Sequence, residues 1–522
     1  MSSEPTTAVT TSEAPVVLEE SQASPVGDSL GSAMLLMLLL TVAQRGTGFF
    51  RNMVVCRWLE PEELGAWNLA QSFLMLAAPL IVLGIPGAFK RYVAYYEQRN
   101  QLRRFLAITG SATILLAIIG VVAMLGLRRQ VAWLAFGDET QTPLAVLSIG
   151  SLLTVIVFNF STELLTAMRQ VKRVSRIQFG NALIFTAVAL VLVGIFGLDA
   201  RGVVFGYAAA CAVSAALAIR AVVTLVCQSP RASIVVEETP VWRKLLPFSA
   251  AVWLADLLTN CFSVADRLMI VHFADQSGHN SMAMIGQYHS SQIIGSLLVA
   301  LTVMLGGVLL SYLSHDWESG HRARAEALVD SSLRQVAMAL TTVAGVGLLL
   351  APIMFDHFLS HKYADGLRIL PLTMAYCIWF GLISVAQNYL WCRERGRFVS
   401  AALFGGLMLN IALNAWWLPV WGLDGAVAAT AVANLLSLAI VLICCQILGM
   451  RYHPSTLVSV LLPALLCGGG AFALVGVALY GLAGWAGGWL LTADQQSALG
   501  GHWDRALRRL GFDRPCDWPS RI

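Results

Sequence analysis

The sequence predicts an all-α polytopic membrane protein: two six-helix bundles related by a pseudo-two-fold axis along the membrane normal, plus one or two extra C-terminal spans. Three observations predict it. Hydrophobic residues make up 57% of the 522 residues and charged residues 12%, whereas a soluble domain carries about a quarter charged residues. Apolar runs long enough to cross a hydrocarbon core, roughly 20 residues in a helix, recur from Leu30 almost to Leu491. The chain also repeats itself. Gly65-Ala66-Trp67 with Gln71 returns as Gly286-Gln287-Tyr288 with Gln292, and Gly197-Leu198-Asp199 returns as Gly422-Leu423-Asp424, each about 220 residues later. Six apolar segments fit each copy, and an even number sends both copies into the bilayer in the same sense.

Backbone groups in lipid need internal partners, so long apolar runs without period-two alternation are helices. The first bundle, 29–227, takes spans at 30–52, 67–89, 106–127, 143–166, 179–198 and 203–226. The second, 247–449, takes 247–271, 285–313, 336–355, 367–390, 400–420 and 425–447. Residues 1–28 are rich in Ser, Thr, Pro and Glu and lack basic residues, which predicts a disordered cytoplasmic tail. The first apolar run follows this acidic tail without the basic leader of a signal peptide, so it reads as a retained helix. Pro, Ser and paired charges mark 228–246 as a cytoplasmic linker. The apolar stretch 450–491 is interrupted by Gly468-Gly469-Gly470 and Gly487-Gly488. Two short spans there return the basic tail, 492–522 with Arg505, Arg508, Arg509 and Arg514, to the cytoplasm, whereas one long span leaves it outside.

Lys and Arg alternate by loop. The even loops hold Lys90, Arg91, Arg103, Arg104, Arg169, Lys172, Arg173, Arg243, Arg322, Arg324, Arg393 and Arg395 among others, roughly twice as many as the odd loops and the segment ends that feed them. By the positive-inside rule the even loops and the N-terminus are cytoplasmic, which predicts a multi-pass protein of the cell membrane.

The ten cysteines are scattered through apolar segments with no C-x-x-C pair, and His357 and His361 are the one histidine pair at helical spacing. No metal site is expected from them. No G-x-x-x-x-G-K-[ST] run and no polar stretch long enough for an ATPase domain occurs, so no nucleotide or other cofactor is expected, and the protein reads as a transporter rather than an enzyme. Nucleic acid is not among the expected partners.

Ionisable groups within spans cost about 2.5 to 3.5 kcal/mol each on insertion scales, so they line cavities or pair with one another. Asp256 lies about nine residues into the seventh span, close to the midplane by that count, and Thr259, Asn260 and Ser263 follow it on one helix face. The stripe suits an ion-coupling site, and it equally suits a hydrogen bond that fixes packing. Glu163, one turn beyond Asn159 and near the cytoplasmic end, is a second coupling candidate, with simple pairing to Arg169 or another neighbour as the alternative. Arg45 and Arg51 in the first span offer forked donors to an anionic headgroup, with snorkelling to the surface as the alternative for Arg51. Gln71, Gln292 and Asn260, with other uncharged polar residues spread over many spans, suit a cavity for hydroxyl-rich cargo or act as interhelical glue.

Arg57-Trp58-Leu59-Glu60-Pro61-Glu62-Glu63-Leu64-Gly65 resembles the R-x-L-G-P-x-x-[YF]-G turn of the polysaccharide flippases, with Glu60 for Gly and Leu64 for the aromatic. Asp266-Arg267, Gly286-Gln287-Tyr288, Lys362-Tyr363-Ala364 and Asn410-Ile411-Ala412-Leu413-Asn414 with Pro419, Gly422 and Gly425-Ala426 are similar to further motifs of that family. The likeness runs from about Gly31 to Gly449. It implies membership of the multidrug/oligosaccharidyl-lipid/polysaccharide superfamily, two bundles that alternate between inward-open and outward-open states, and export of a polyprenyl-diphosphate-linked oligosaccharide. The partners implied are that lipid-linked glycan, membrane lipids, and glycosyltransferases or a polymerase of a polysaccharide pathway. A sodium- or proton-coupled drug antiporter and a lipid II flippase of the same superfamily are the rival expectations.

Overall fold

The computed structural model describes residues 30–228, 241–274, 280–359 and 361–486, and the side chains of α1 from Leu39 onward. The expected N-terminal tail, the C-terminal basic tail and most of the linker lie outside the described residues. The described residues are helical throughout apart from short turns, and ten of their helices are long and apolar enough to cross a membrane.

α1 (Leu30–Trp58), α2 (Pro61–Val82), α4 (Leu102–Gly126), α6 (Thr142–Ala167), α7 (Val171–Gly194) and α8 (Ala200–Gln228) pack on one another as a first group. α9 (Val241–Phe273), α10 (Ser281–Glu318), α11 (Arg322–His357), α12 (Ala364–Cys392) and α13 (Arg397–Ile447) form the second. α13 is 51 residues long, which at 1.5 Å per residue is more than twice a hydrocarbon core of about 30 Å. It is two spans: at Gly422 the backbone leaves the helix (φ 55°, ψ −132°), three residues after Pro419. Gly425 then passes so close to the first arm that a Cβ on it would lie 2.5 Å from the Trp417 carbonyl oxygen. The motif residues of this segment therefore shape a turn.

Several helices outrun the apolar runs that announced them, because a helix need not stop where lipid does. α2 begins at Pro61, six residues before the expected start, since Pro61 sits at its first turn and Glu60 and Glu63 form a capping box. It ends early, at Leu83 in a left-handed conformation followed by Gly84. α9 starts at Val241, inside the expected linker. Two helices were not foreseen. α3 (Phe89–Gln98) and α5 (Arg128–Phe136) are short surface helices at opposite ends of the spans, each with one apolar face against α6 or its neighbours. The ends are called here the basic end, where the α2–α4, α6–α7, α10–α11 and α12–α13 connections carry Lys and Arg, and the far end.

The C-terminal stretch forms a helical hairpin. α14 (Pro454–Leu461) continues as a 3-10 segment, Leu462–Gly468, and α15 (Gly470–Ala486) returns after Gly469 (φ 99°). Tyr480 Oη donates to the Ser455 carbonyl oxygen (3.0 Å), which joins the two ends of the hairpin. Its base is pinned to α11 by a buried network: Arg334 Nη1 donates to Asp330 and to Thr456 Oγ1 (2.8 Å), and Thr456 Oγ1 donates to Asp330 Oδ1 (2.6 Å).

The two groups meet at the repeated glycines. A Cβ on Gly65 would lie 2.0 Å from the Met282 carbonyl oxygen, and one on Gly286 would lie 1.9 Å from that of Pro61. Each glycine thus faces the residue four positions before the other, a reciprocal contact that puts the pseudo-two-fold axis through this crossing of α2 and α10.

Candidate functional site

Two adjoining chambers lie along the seam between the groups. The larger, about 660 Å³, is walled by α1, α2, α7 and α10; the smaller, about 350 Å³, by α9, α10, α12 and α13. Arg45, Arg267, Gln292 and Ser296 line both and so mark the passage between them.

Of the residues singled out from sequence, Arg45, Arg51, Gln71 and Gln292 come together here. Arg45 is exposed at the shared wall. Arg51 does not snorkel: its guanidinium lies 3.9 Å from the centroid of the Phe185 ring and donates to Asn52 Oδ1 (3.3 Å). Trp67, Phe185 and Tyr207 pack edge to face behind it, with centroids 5.2 to 6.1 Å apart, which holds the cation in one place at the wall. The remaining three candidates are elsewhere. Asn260 lines neither chamber; Thr259 and Ser263 donate back to carbonyls of their own helix, and of the expected polar stripe Ser263 alone reaches the smaller chamber. Asp256 stands beside Gly87 of the first group, its Oδ2 3.9 Å from where a Cβ on that glycine would lie. Glu163 pairs with Lys90 (3.2 Å), not with Arg169.

Sequence reasoning missed the third cation. Arg267 Nη2 donates to Gln292 Oε1 (2.7 Å) and Nη1 to the Ser263 carbonyl (2.9 Å), while its buried Nε has no partner. From Gln292 a chain of hydrogen bonds runs through Tyr376 Oη (3.0 Å) and Tyr288 Oη (3.1 Å) to Asp266 Oδ2 (2.8 Å). Asn410 and Asn414 donate to Asp266 Oδ1 (2.8 and 3.2 Å). The signal was present: an adjacent acid and base inside the 247–271 run is an intramembrane charged pair. It was read as a motif of the turn, which hid it.

Among the described lining residues Asp266 is the one carboxylate, and three donors already occupy it. Three guanidiniums against one carboxylate leave the described lining with a net positive charge. Such a wall attracts a multiply charged anion, and each fork can bind two of its oxygens.

The far end of the chambers is closed. Beneath the Gly65–Gly286 crossing, Asn68 Nδ2 and His289 Nδ1 make a short hydrogen bond between α2 and α10. Above it, Lys362 pairs with Glu60 (2.8 Å), Asn280 donates to Glu62 (3.2 Å), and Tyr363 Oη donates to the Leu59 carbonyl (3.1 Å). Burial pushes the Tyr363 hydroxyl well above its ordinary range, so it remains a donor at any physiological pH. At the basic end α9 closes against α2, with Trp253 Nε1 donating to the Pro79 carbonyl (3.0 Å). The pairing related to it by the pseudo-symmetry, α1 with α10, is slight, and Leu301, Val303 and Leu305 of α10 stay exposed beside it.

Residues 30–317 match the family model described as polysaccharide biosynthesis protein. The chain belongs to that family. Among solved structures it is similar to the lipid II flippase MurJ in an inward closed conformation, at 14% identity over 91% of this chain and 100% of that one, with a TM-score of 0.67. It is also similar to a multidrug resistance MATE family transporter of the MOP superfamily in inward-facing (TM-score 0.62, 11% identity, 79% and 97% covered) and outward-facing conformations (0.57, 12%, 80% and 94%). A comparison with curated protein sequences gives no significant match. At these identities the structures speak for the fold alone: this family member is a multi-pass membrane protein with the fold of MurJ and MATE transporters.

Proposed function

We propose that the protein is a flippase of the cytoplasmic membrane that carries a polyprenyl-diphosphate-linked oligosaccharide from the inner to the outer leaflet by alternating access. The observation that carries this reading is the excess of Arg45, Arg51 and Arg267 over the one carboxylate, Asp266, around adjoining chambers between two helix groups. A lipid-linked sugar must bring a hydroxyl-rich, charged head across a layer that penalises each unsatisfied polar group by several kcal/mol. Guanidiniums offer the diphosphate its partners, and Gln44, Asn52, Asn68 and Gln71 offer the sugar its own. In this reading the polyprenyl tail stays in lipid on the α1–α10 flank, where the contact among the described residues is slight, while the head sits inside. The N-terminus and basic loops are cytoplasmic in this reading, and cytoplasmic glycosyltransferases supply the cargo to a polymerase or ligase outside.

A coupling cation is a second element of the reading. Asp266 shares the smaller chamber with Thr430 and Asn434, and Oδ1 of both Asn414 and Asn434 is buried without a partner. A carboxylate beside unfilled amide oxygens suits a hard monovalent cation or a proton.

The test is reconstitution. Proteoliposomes loaded with a fluorescent polyprenyl-diphosphate oligosaccharide are assayed for the fraction of head groups reached by a membrane-impermeant oxidant. The expected result is rapid equilibration with the native protein and slow equilibration with an Arg45→Ala, Arg267→Ala variant. Native protein that exposes a fluorescent cationic drug or lipid II faster than any lipid-linked oligosaccharide would refute the cargo assignment.

A further inference from the structure

Behind the chambers, on the other side of α10, a separate groove of about 550 Å³ opens between α10 and α11 at the basic end, with Val385 of α12 behind it. It shares no lining residue with either chamber. At about 100° of turn per residue, its α10 wall of Leu305, Val308 and Tyr312 points away from Gln292, Ser296 and Val303, which face the chambers. Those three side chains are 45–67% exposed, so the groove opens sideways, toward the bilayer that a spanning helix meets at this level.

The groove's chemistry changes in order along its length and from wall to wall. At its rim, Asp316 in the last turn of α10 faces Arg324 in the first turn of α11, with Arg324 Nε 3.8 Å from Asp316 Oδ2 and His315 Nδ1 3.7 Å from Oδ1. Below the rim, α11 presents Ser331, Ser332 and Gln335 while α10 across from them is apolar. From Asp316 to Leu305 is eleven residues of helix, about 16 Å, which matches the hydrocarbon of one leaflet, about 15 Å. A complementary occupant therefore carries an anion and a cation side by side at one end, hydrogen-bonding oxygens next, and a chain about one leaflet long. A membrane phospholipid with a zwitterionic head has these parts in this order.

We propose that this groove is a binding site for a phospholipid with a phosphoethanolamine head, drawn from the leaflet at the basic end: phosphate on Arg324, ammonium on Asp316, ester oxygens toward Ser332 and Gln335, and an acyl chain along Leu305, Val308 and Tyr312. The guanidinium fork bonds two phosphate oxygens at once. A primary ammonium brings three N–H donors to the carboxylate, whereas the trimethylammonium of a phosphocholine head brings none and a phosphoglycerol head has no cation for Asp316 to hold. The carboxylate thus selects among lipids that the arginine alone would not tell apart. One charge-assisted hydrogen bond at the low end of its usual strength is worth about tenfold in affinity, and the exposure of Arg324 to solvent keeps the selectivity near that low end. The site goes beyond the flippase reading and requires only that the chain span a bilayer.

The test uses the full chain purified in mild detergent, with native mass spectrometry counting the lipid retained as phosphatidylethanolamine, phosphatidylcholine or phosphatidylglycerol of identical acyl chains is added. The expected result for the native protein is one phosphatidylethanolamine held at about tenfold lower concentration than either of the others. Asp316→Asn should erase the advantage over phosphatidylcholine, and Arg324→Gln should weaken both alike, with Arg324→Lys between it and the native protein. Val308→Trp fills the exposed wall without touching the charges and should remove bound lipid of every class. Protection of the buried segment 369–390 from hydrogen exchange reports folding, and the two rim substitutions, at the ends of their helices, should leave it intact. Phosphatidylglycerol held as tightly as phosphatidylethanolamine by the native protein would overturn the site as a merely basic patch. A native preference retained in Asp316→Asn and Val308→Trp would overturn it too, as would Tyr312→benzoylphenylalanine that cross-links in native membranes to a protein instead of a lipid. Failure of the cargo assignment would appear in the flipping assay and leave these lipid counts untouched.

Discussion

The reciprocal contact of Gly65 and Gly286 is the place where one methyl group should change the conformational balance. A Cβ at Gly65 would sit 2.0 Å from the Met282 carbonyl oxygen and 2.9 Å from its carbon, whereas non-bonded heavy atoms rest about 3.5 Å apart. The atoms it meets are backbone, so no side chain can swing aside, and Gly65→Ala must drive α2 and α10 apart by about 1.5 Å at this crossing. Overpacking of this size typically costs about 1–3 kcal/mol. Because the strain exists only while the far end is shut, it is relieved by opening, and 1–3 kcal/mol corresponds to a 5- to 150-fold shift toward open states.

A native thiol reports the shift. Cys56 is fully buried beneath the far-end cap, close to Tyr363, whose hydroxyl bonds the Leu59 carbonyl across the seam. Labelling of Cys56 by an impermeant maleimide, read by mass spectrometry so that other cysteines do not interfere, should accelerate within that range in Gly65→Ala and in Gly286→Ala. The control is Gly150→Ala in α6, where nothing lies within 4 Å of the added carbon and the helix gains up to about 1 kcal/mol of propensity. Rates within twofold of the native one in both seam variants would refute the idea that the two glycines seal this end.

Arg45→Ala should weaken binding of a lipid diphosphate about tenfold or more, since a charge-assisted hydrogen bond contributes about 1.5–3 kcal/mol, with unchanged thermal unfolding; equal losses in affinity and stability would make it a structural residue. Arg267→Lys keeps the charge but loses the fork that bonds Gln292 and Ser263, so it should lose most of that affinity too, and native affinity in this variant would point to a simple electrostatic role. Asp266→Asn should abolish any dependence of transport on a sodium or proton gradient while leaving cargo binding within a few-fold, and a retained gradient dependence would remove Asp266 from coupling. Asp330→Asn leaves Arg334 buried without its counter-ion, which should lower stability by about 3–5 kcal/mol and free the C-terminal hairpin for proteolysis. An unchanged melting temperature would contradict that account.

The fold was legible because lipid removes most alternatives. Long apolar runs must be helices, loop charge sets their direction, and the Gly65/Gly286 echo announced the duplication, though not that the two glycines touch. What composition could not reveal was where helices continue into water. α3 and α5 are too short and polar to register as spans, and α9 gained its first two turns from residues that looked like linker. The cavity was half legible. Arg45, Arg51, Gln71 and Gln292 were marked by polarity within apolar runs, but Arg267 was masked by its place near a span end, and the ring of Trp67, Phe185 and Tyr207 that holds Arg51 comes from three different helices. No linear pattern assembles such a ring.

Duplication explains the symmetric part of the seam, and divergence explains the part that makes the seam useful. At the far end both copies kept glycine at the crossing, so α2 and α10 approach to backbone contact and close one mouth with equal contributions from each half. At the basic end the copies differ. α9 carries Ser249, Val252 and Trp253 against the Gly84 and Gly87 turn of the first half, whereas the position of α10 that matches Gly84 is Leu305. A perfectly symmetric pair would seal both flanks of the cavity from lipid and admit only cargo that fits wholly inside. The proposed cargo, with a polar head and a tail too long to enclose, requires one flank to stay unsealed on the side of Arg45.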